Sequence, residues 1–224
     1  MGRLSDYELE LVIFDCDGVL VDSERISNGL LAAMLSVEGL ATTLEESRRD
    51  YQGLQLAEVL EAAQTQLGRE LPGGFMERFQ RDRAVLFEQQ LKAVPGAAGA
   101  VTRVRAAGIG VCVASQGGLA KIRLSLGLTG LDGLFDPAAL FSAAQVPRGK
   151  PHPDLFLHAA EAMGADPGRC AVVEDTASGV EAAVAAGIRA LGYAADSDAA
   201  ALERAGAEIL GSLDRLPEAL GLAG

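Results

Sequence analysis

Short, uninterrupted apolar runs recur along the chain, separated by stretches whose apolar residues follow a helical spacing. Runs of this length that are rich in branched residues are typical of strands buried inside a parallel sheet. The runs lie at residues 11–14, 109–114, 140–141, 170–173, 189–193 and 207–210. Strands that alternate with helices predict an α/β fold with a doubly wound, Rossmann-like parallel sheet that carries helices on both faces.

Residues 23–91 follow a different pattern, with helical spacing broken only at glycines and prolines and no strand-like run. Ser23 is placed to cap the first helix of this segment. In the second half of the chain, Asp154 or a neighbour is expected to cap the helix after a proline-containing loop. We therefore predict an α/β domain formed by residues 1–22 and 92–224, with a small all-α domain inserted at residues 23–91.

Composition limits the classes of partner. Apolar residues make up 49% of the 224 residues, which is enough for a packed core, and the net charge is −12. Phosphate backbones and anionic membranes select basic surfaces, so we expect no nucleic-acid and no membrane partner. A small anionic substrate stays open, because local cations or a metal ion can dominate one pocket.

The cysteines and the beginning of the chain bear on the compartment. Cys16, Cys112 and Cys170 are an odd number of widely spaced residues in apolar runs, a pattern that favours buried thiols over disulfides. Charged residues interrupt the first ten positions, so no signal peptide is indicated, and no apolar run reaches transmembrane length. We expect a cytoplasmic protein that is a monomer or a weak homodimer.

Polar side chains stand where several predicted strands end. Asp15 and Asp17 follow the first run, Ser115 follows the second, and Glu174 and Asp175 end the fourth. The Asp-Cys-Asp-Gly stretch alone is equally consistent with an ordinary turn. In a doubly wound sheet, however, the carboxyl ends of the strands meet at one crevice. Together with Lys150 in its proline loop, this set has the parts for phosphoryl transfer: a carboxylate nucleophile, acids for Mg²⁺, a hydroxyl donor and a cation.

These residues, in this order, resemble the four motifs of the haloacid dehalogenase superfamily. The motifs are Asp15-Cys-Asp17-Gly18 with the residues up to Glu24, then Ser115, then Lys150-Pro151, then Glu174-Asp175. The resemblance covers nearly the whole chain and is closest to the branch that holds β-phosphoglucomutase and small sugar-phosphate phosphatases. It implies that residues 23–91 are the helical cap domain of that branch.

The resemblance also implies catalytic roles. Asp15 would attack phosphorus and form an aspartyl-phosphate, and Asp17 would protonate the leaving group and later activate water. Ser115 would donate to phosphoryl oxygens, with neighbouring Gln116 a further phosphate-binding candidate. Lys150 would neutralise charge at Asp15 and the phosphoryl group.

A Mg²⁺ ion is the cofactor that the resemblance implies. Asp15, the backbone carbonyl of Asp17 and Asp175 would hold it, with Glu174 bound directly or through water. Gly18 would let the loop turn close to the phosphate.

The choice among reactions depends on departures from the family pattern. A dehalogenase needs neither Asp17 nor acids for a metal, so the carboxylates favour phosphoryl chemistry. β-Phosphoglucomutases carry a cap arginine after the glycine that matches Gly53 and a histidine near the position of Ser27, and this chain has neither. We therefore expect a Mg²⁺-dependent phosphatase of a small sugar or sugar-acid phosphate that resembles 6-phosphogluconate phosphatases. A phosphomutase or a non-catalytic sugar-phosphate binder is the alternative.

Substrate contacts are the least determined part of this hypothesis. Gly53 and Gln55, together with Gln52, are candidates for a cap loop that faces a small phosphorylated metabolite, and Arg148 is a candidate anion contact. Ordinary linker and surface packing is an equally good interpretation of these residues. A group of arginines is expected to form a solvated helical face from which one member could reach an anionic substrate: Arg48, Arg49, Arg78, Arg81 and Arg83.

Overall fold

The computed structural model describes residues 9–51, 54 and 56–222, and its centre is a six-stranded parallel sheet. The strands are β1 (Leu11–Phe14), β2 (Gly110–Ser115), β3 (Leu140–Ser142), β4 (Cys170–Glu174), β5 (Arg189–Tyr193) and β6 (Glu208–Leu210). Their order in the sheet is β3-β2-β1-β4-β5-β6, and each neighbouring pair is parallel. The predicted Rossmann-like α/β fold and its six strand segments are confirmed.

Helices cover this sheet and also form a separate group. In the described part of the chain they are α1 (Glu24–Val37), α2 (Leu44–Tyr51), α3 (Leu56–Leu67), α4 (Phe75–Gln90), α5 (Ala97–Ala106), α6 (Leu119–Leu128), α7 (Asp154–Ala162), α8 (Ala177–Ala185), α9 (Ala199–Ala205) and α10 (Leu216–Ala219). None of the helices in these ranges is long and apolar enough to cross a bilayer.

Two apolar clusters lie on opposite faces of the sheet because successive side chains of a strand point to opposite sides. In β1, Val12 and Phe14 belong to the cluster that packs against α5 and α6, whereas Leu11 and Ile13 belong to the one that packs against α7 and α8. All four side chains are at most 1% exposed. Burial on both faces explains why β1 reads as a continuous apolar run.

Helices α1–α4 share a third apolar cluster that contains no residue of the sheet. Its buried members are Leu31, Leu35, Tyr51, Val59, Ala63, Leu71, Phe75 and Phe79. The two segments that connect α1–α4 to the sheet run side by side. The amide of Asp22 donates to the carbonyl of Lys92, and the amide of Val94 donates to the carbonyl of Leu20, both at 2.9 Å. The helical content of residues 23–91 matches the sequence pattern, and the division into two domains stays a prediction.

Two local expectations need correction. Ser23 precedes α1 but makes no capping bond, because its hydroxyl donates to Asp17 instead. The residue before α7 is Pro153, and Asp154 pairs with Arg148 rather than capping the helix. The predicted burial of Cys16, Cys112 and Cys170 is confirmed.

Candidate active site

The central position of β1 brings the polar strand ends together. Phe14, its last residue, is in register with Val113 of β2 and Val173 of β4. The next residues of all three strands therefore emerge at one edge of the sheet, as they do in open α/β sheets that bind ligands there. This places Asp15, Ser115, Glu174 and Asp175 around one cavity.

Lys150 lies between two buried carboxylates. Its Nζ donates to Asp15 Oδ1 at 2.6 Å and also to Glu174 Oε1. Burial alone would lower the pKa of Lys150, but Asp15 and Glu174 outweigh it and raise the pKa above its ordinary value. The side chain is consequently a permanent ammonium ion beside the Asp15 oxygens.

Glu174 is engaged on both of its carboxylate oxygens. Oε1 accepts from Lys150, and Oε2 accepts from the amide of Thr176 at 3.0 Å and from its hydroxyl at 2.9 Å. The hydroxyl of Thr176 in turn accepts from the amide of Gly179 and so caps α8. The start of this helix thereby holds Glu174 against Lys150.

Negative charge at this edge exceeds what Lys150 neutralises. Burial raises the pKa of Asp15 to about 7, with Glu174 and Asp17 adding to the effect against Lys150. Burial, Glu174 and Asp15 raise the pKa of Asp175 well above its ordinary value. Oδ1 of Asp175 is buried and has no hydrogen-bond partner among the described residues. A cation with room for oxygen ligands would relieve both effects.

Asp17 is held by donors from three elements. Oδ1 accepts from the Ser23 hydroxyl and pairs with the Lys121 ammonium group, while the Ser115 hydroxyl is 3.4 Å from Oδ2. Burial would raise the pKa of Asp17, but Lys121 and then Ser23 lower it below its ordinary value. Lys121 and Ser23 therefore favour the ionised form of Asp17.

Lys121 was not predicted from the sequence. It lies in the first turn of α6, six residues after Ser115, and its side chain is 17% exposed. The sequence does contain a signal for Lys121, because it is a basic residue in the first turn of the helix that follows Ser115.

Gln116 lines the cavity, where its phosphate contact stays a prediction, and its side chain binds the backbone of Lys150. Its Oε1 accepts from the amide of Lys150 at 3.0 Å, and its Nε2 donates to the carbonyl of the same residue at 3.3 Å. These two bonds fix the backbone that carries Lys150. The Ser115 hydroxyl accepts from the amide of Gly117 in a turn and also faces Asp17.

Gly18 is required for the close approach of Asp175, and the expected turn next to the phosphate stays a prediction. Its φ of 76° lies in the left-handed region, and a Cβ at this position would overlap Oδ2 of Asp175. The missing side chain lets Asp175 lie against the loop of Asp17.

One candidate substrate contact, Arg148, is not brought into the cavity. Arg148 is exposed, forms a two-bond pair with Asp154 at 3.1 and 2.9 Å, and does not line the cavity. Gly53 and Gln55 lie outside the described residues, as does Gln52.

The cavity has a volume of about 470 Å³ and extends from the strand ends to α1–α4. Its wall includes Glu24 and Asn28 of α1, which were not predicted as site residues, and Arg83 of α4, one of the five arginines of which one was expected to reach a substrate. Asn28 Nδ2 donates to Glu24 Oε2 at 2.9 Å, and its Oδ1 accepts from the Ser47 hydroxyl at 3.0 Å. Burial and the Asp17 charge raise the pKa of Glu24 to about 6.

The fold and site define a class of enzyme: an α/β protein with a buried aspartate after its central strand, a lysine beside it and further acids on the next strand. The chain belongs to the haloacid dehalogenase-like hydrolases, whose family model matches residues 9–187.

Similar proteins extend over most of the chain. It is 33% identical over 189 residues to a 6-phosphogluconate phosphatase of Escherichia coli, covering 84% of each chain. It is 30% identical over 181 residues to hexitol phosphatase B of the same organism, covering 80% of this chain and 81% of the relative. A solved hydrolase of the same superfamily from Deinococcus radiodurans, with bound phosphate and sodium, has 33% identity, a TM-score of 0.80 and 96% coverage of both chains.

Proposed function

We propose that this protein is a Mg²⁺-dependent phosphatase that hydrolyses the phosphate monoester of a small sugar or sugar acid through an aspartyl-phosphate on Asp15. The observation that carries the proposal is the buried Asp15–Lys150–Glu174 arrangement, with Asp17 two residues from Asp15 on the same edge of the cavity. The neighbouring acids favour phosphoryl transfer over dehalogenation, which needs neither a second acid nor a metal.

In the first step an oxygen of Asp15 forms a bond to phosphorus while the bond to the sugar oxygen breaks, and Asp17 gives a proton to that oxygen. In the second step Asp17 takes a proton from water as the water oxygen attacks the phosphoryl group, which releases phosphate and regenerates Asp15. Lys150 and Ser115 stabilise charge on the phosphoryl oxygens. Because Lys121 holds Asp17 ionised, substrate binding has to loosen that pair before Asp17 can act as the acid.

The donor set fits a magnesium ion. Among the described residues no three Asp, Glu, His or Cys side chains form a metal site by themselves. Mg²⁺ does not need three, since it keeps several waters and binds through one or two carboxylates. We assign Asp15, the Asp17 carbonyl and Asp175 with its unpartnered Oδ1 as ligands, and Glu174 through water because Lys150 and Thr176 occupy its oxygens. When bound, the ion supplies positive charge that draws the Asp15 carboxylate and the phosphoryl group together.

The substrate class rests on the cavity and on the relatives. Its volume is in the range of small-molecule sites, and its wall mixes apolar side chains with Glu24, Asn28 and Arg83. The names of the two bacterial relatives indicate six-carbon acid and polyol phosphates. No observation at the cavity favours the mutase alternative, because Ser27 lines the wall where a mutase carries histidine.

Phosphate release from a panel of sugar, polyol and sugar-acid phosphates, with Mg²⁺ and with a chelator, tests the proposal. We expect turnover only with the metal and a loss of about three orders of magnitude or more in kcat for Asp15→Asn, because the nucleophile is removed. Asp132→Asn, at an exposed position away from the cavity, is the matched control. Undiminished activity of Asp15→Asn would refute the assigned role, and interconversion of sugar phosphates without net phosphate release would identify a mutase.

A further inference from the structure

Arg83 is a cation of the cavity wall without an ion-pair or hydrogen-bond partner in the described part of the chain. Three cationic side chains line the cavity: Lys150, which pairs with Asp15 and Glu174; Lys121, which pairs with Asp17; and Arg83. Within the described ranges the Arg83 guanidinium makes no hydrogen bond and has no carboxylate oxygen within 4.0 Å. The side chain is half-buried, so it lacks the full hydration that an exposed arginine has.

Aromatic side chains hold the guanidinium in place. Its Cζ is 5.0 Å from the ring centre of Phe79 and 5.7 Å from that of Phe87. Both rings are buried, at 3% and 1% exposure. Stacking on aromatic rings orients the planar fork and reduces the freedom lost when it binds an anion.

The surroundings of Arg83 place it on the Asp17 side of the cavity. Lys121 Nζ, which pairs with Asp17, is 5.9 Å from the same Phe87 ring. Asp17 and Glu24 are near enough to influence Arg83 electrostatically, but neither forms an ion pair with it. Arg83 is on α4, whereas Asp15 and Lys150 are on the sheet side, and all three line the same cavity, so one ligand could contact both groups.

A half-buried guanidinium with free donors is matched by a carboxylate or a phosphate, each of which accepts two parallel N–H bonds. We propose that Arg83 determines substrate specificity by binding a second anionic group of the substrate, a carboxylate or a second phosphate, while the ester phosphate lies at Asp15. This inference rests on the proposed function and narrows its substrates to sugar derivatives with a second anionic group besides the ester phosphate. A polyol phosphate of the same length has no such second group, so it leaves Arg83 unpaired and binds more weakly.

The test compares substrates matched in length: 6-phosphogluconate, a hexitol 6-phosphate and a hexose 1,6-bisphosphate. For Arg83→Gln we expect the ratio of kcat/KM for the acid phosphate to that for the hexitol phosphate to fall about 10- to 100-fold, chiefly through KM, because a hydrogen-bonded ion pair is lost. Arg83→Lys should restore part of the ratio. The bisphosphate shows which of the two anionic groups Arg83 selects.

Arg81→Gln is the matched control, since this arginine of the same helix is 65% exposed and pairs with Asp82. A ratio of kcat/KM values that Arg83→Gln leaves unchanged would overturn the proposal. If kcat/KM falls equally for all three substrates, Arg83 only balances the Asp17 and Glu24 charges.

Binding separates this inference from the proposed function. Calorimetry of the same three compounds with Asp15→Asn protein, with and without Arg83→Gln, needs no turnover. A preference for the doubly anionic compounds that disappears with Arg83→Gln supports the inference even if no hydrolysis is found. Equal affinities with and without Arg83 refute it even if hydrolysis is fast.

Discussion

Carboxylates around the cavity differ in how their charge is balanced. Asp15 and Glu174 share Lys150, and Asp17 has Lys121, whereas the Glu24 carboxylate accepts from the neutral amide of Asn28 and forms no ion pair among the described residues. This difference explains why the pKa of Asp17 is lowered while burial and the Asp17 charge raise that of Glu24 from 4.5 to about 6. A carboxyl group that is neutral in mildly acidic solution also presents a hydroxyl donor to the cavity.

Glu24 should make the stability of the metal-free protein depend on pH. Because its pKa is higher in the folded protein than in the unfolded chain, its contribution is fully present below about pH 4.5 and is lost as the pH rises through about 6. Glu24→Gln keeps the acceptor for Asn28 but does not titrate. We expect its free energy of unfolding, relative to that of wild type, to rise by about 1 kcal/mol from about pH 5 to about pH 7.5. Urea unfolding of both proteins at these two pH values measures the difference. Exposed Glu88→Gln is the control, and an equal difference at both pH values would contradict the prediction.

Helix α8 shows how an element can position a catalytic group. It begins directly after Glu174 and Asp175, and Thr176 both caps it and binds Glu174. The third helical residue is Gly179, where a Cβ would overlap the Glu174 carboxyl group. A glycine inside a helix ordinarily lowers stability, so its presence here reflects the close packing of the helix start against Glu174.

Gly179→Ala should therefore destabilise the protein by about 1–3 kcal/mol through overpacking and should lower activity by displacing Glu174 from Lys150. Gly127→Ala is the matched control. That glycine is also helical, in α6, but it is exposed and has no atom within 4 Å of the added Cβ. Its substitution should stabilise the protein by up to about 1 kcal/mol. The urea denaturation midpoints of both variants measure these changes in stability. Equal changes for Gly179→Ala and Gly127→Ala would exclude the packing explanation.

At the scale of the whole molecule, α1–α4 have one apolar cluster and the sheet has two, and charged groups from both parts line one cavity. The net charge of −12 adds to the local excess of carboxylates at the strand ends. A protein of this kind should bind a divalent cation in its folded form and gain stability from it by mass action.

Mg²⁺ should raise the thermal stability of the wild-type protein by about 2.7 kcal/mol at a concentration of about 100 times its Kd. Asp175→Asn should abolish this gain because it removes a ligand. Without metal the same variant should be at least as stable as wild type, since it removes a buried carboxylate whose Oδ1 has no partner. Differential scanning calorimetry with Mg²⁺ and with a chelator tests both expectations, with exposed Asp132→Asn as control. A full Mg²⁺ gain in Asp175→Asn would remove that residue from the ligand set.

Local pattern was sufficient for the strands and for most residues at the strand ends. A fully buried parallel strand has to be apolar along its whole length, so β1, β2 and β4 are visible as runs, and the polar residue that ends each run is visible with them. Ser23 was assigned to the wrong partner, and the side-chain bonds of Gln116 were not foreseen, because these bonds join residues that are apart in the sequence: Ser23 binds Asp17, and Gln116 binds the backbone of Lys150.

The sequence by itself determined the fold class and the acids and lysine at the strand ends, because the order of strands and motifs is written along the chain. Only the tertiary structure decided that Lys121 neutralises Asp17, that Glu174 is occupied by Lys150 and Thr176, and that Arg83 reaches the cavity while Arg148 does not. The physical reason is that charge balance and burial depend on which side chains meet across elements, and nothing in the local pattern around Arg83 distinguishes it from exposed Arg81.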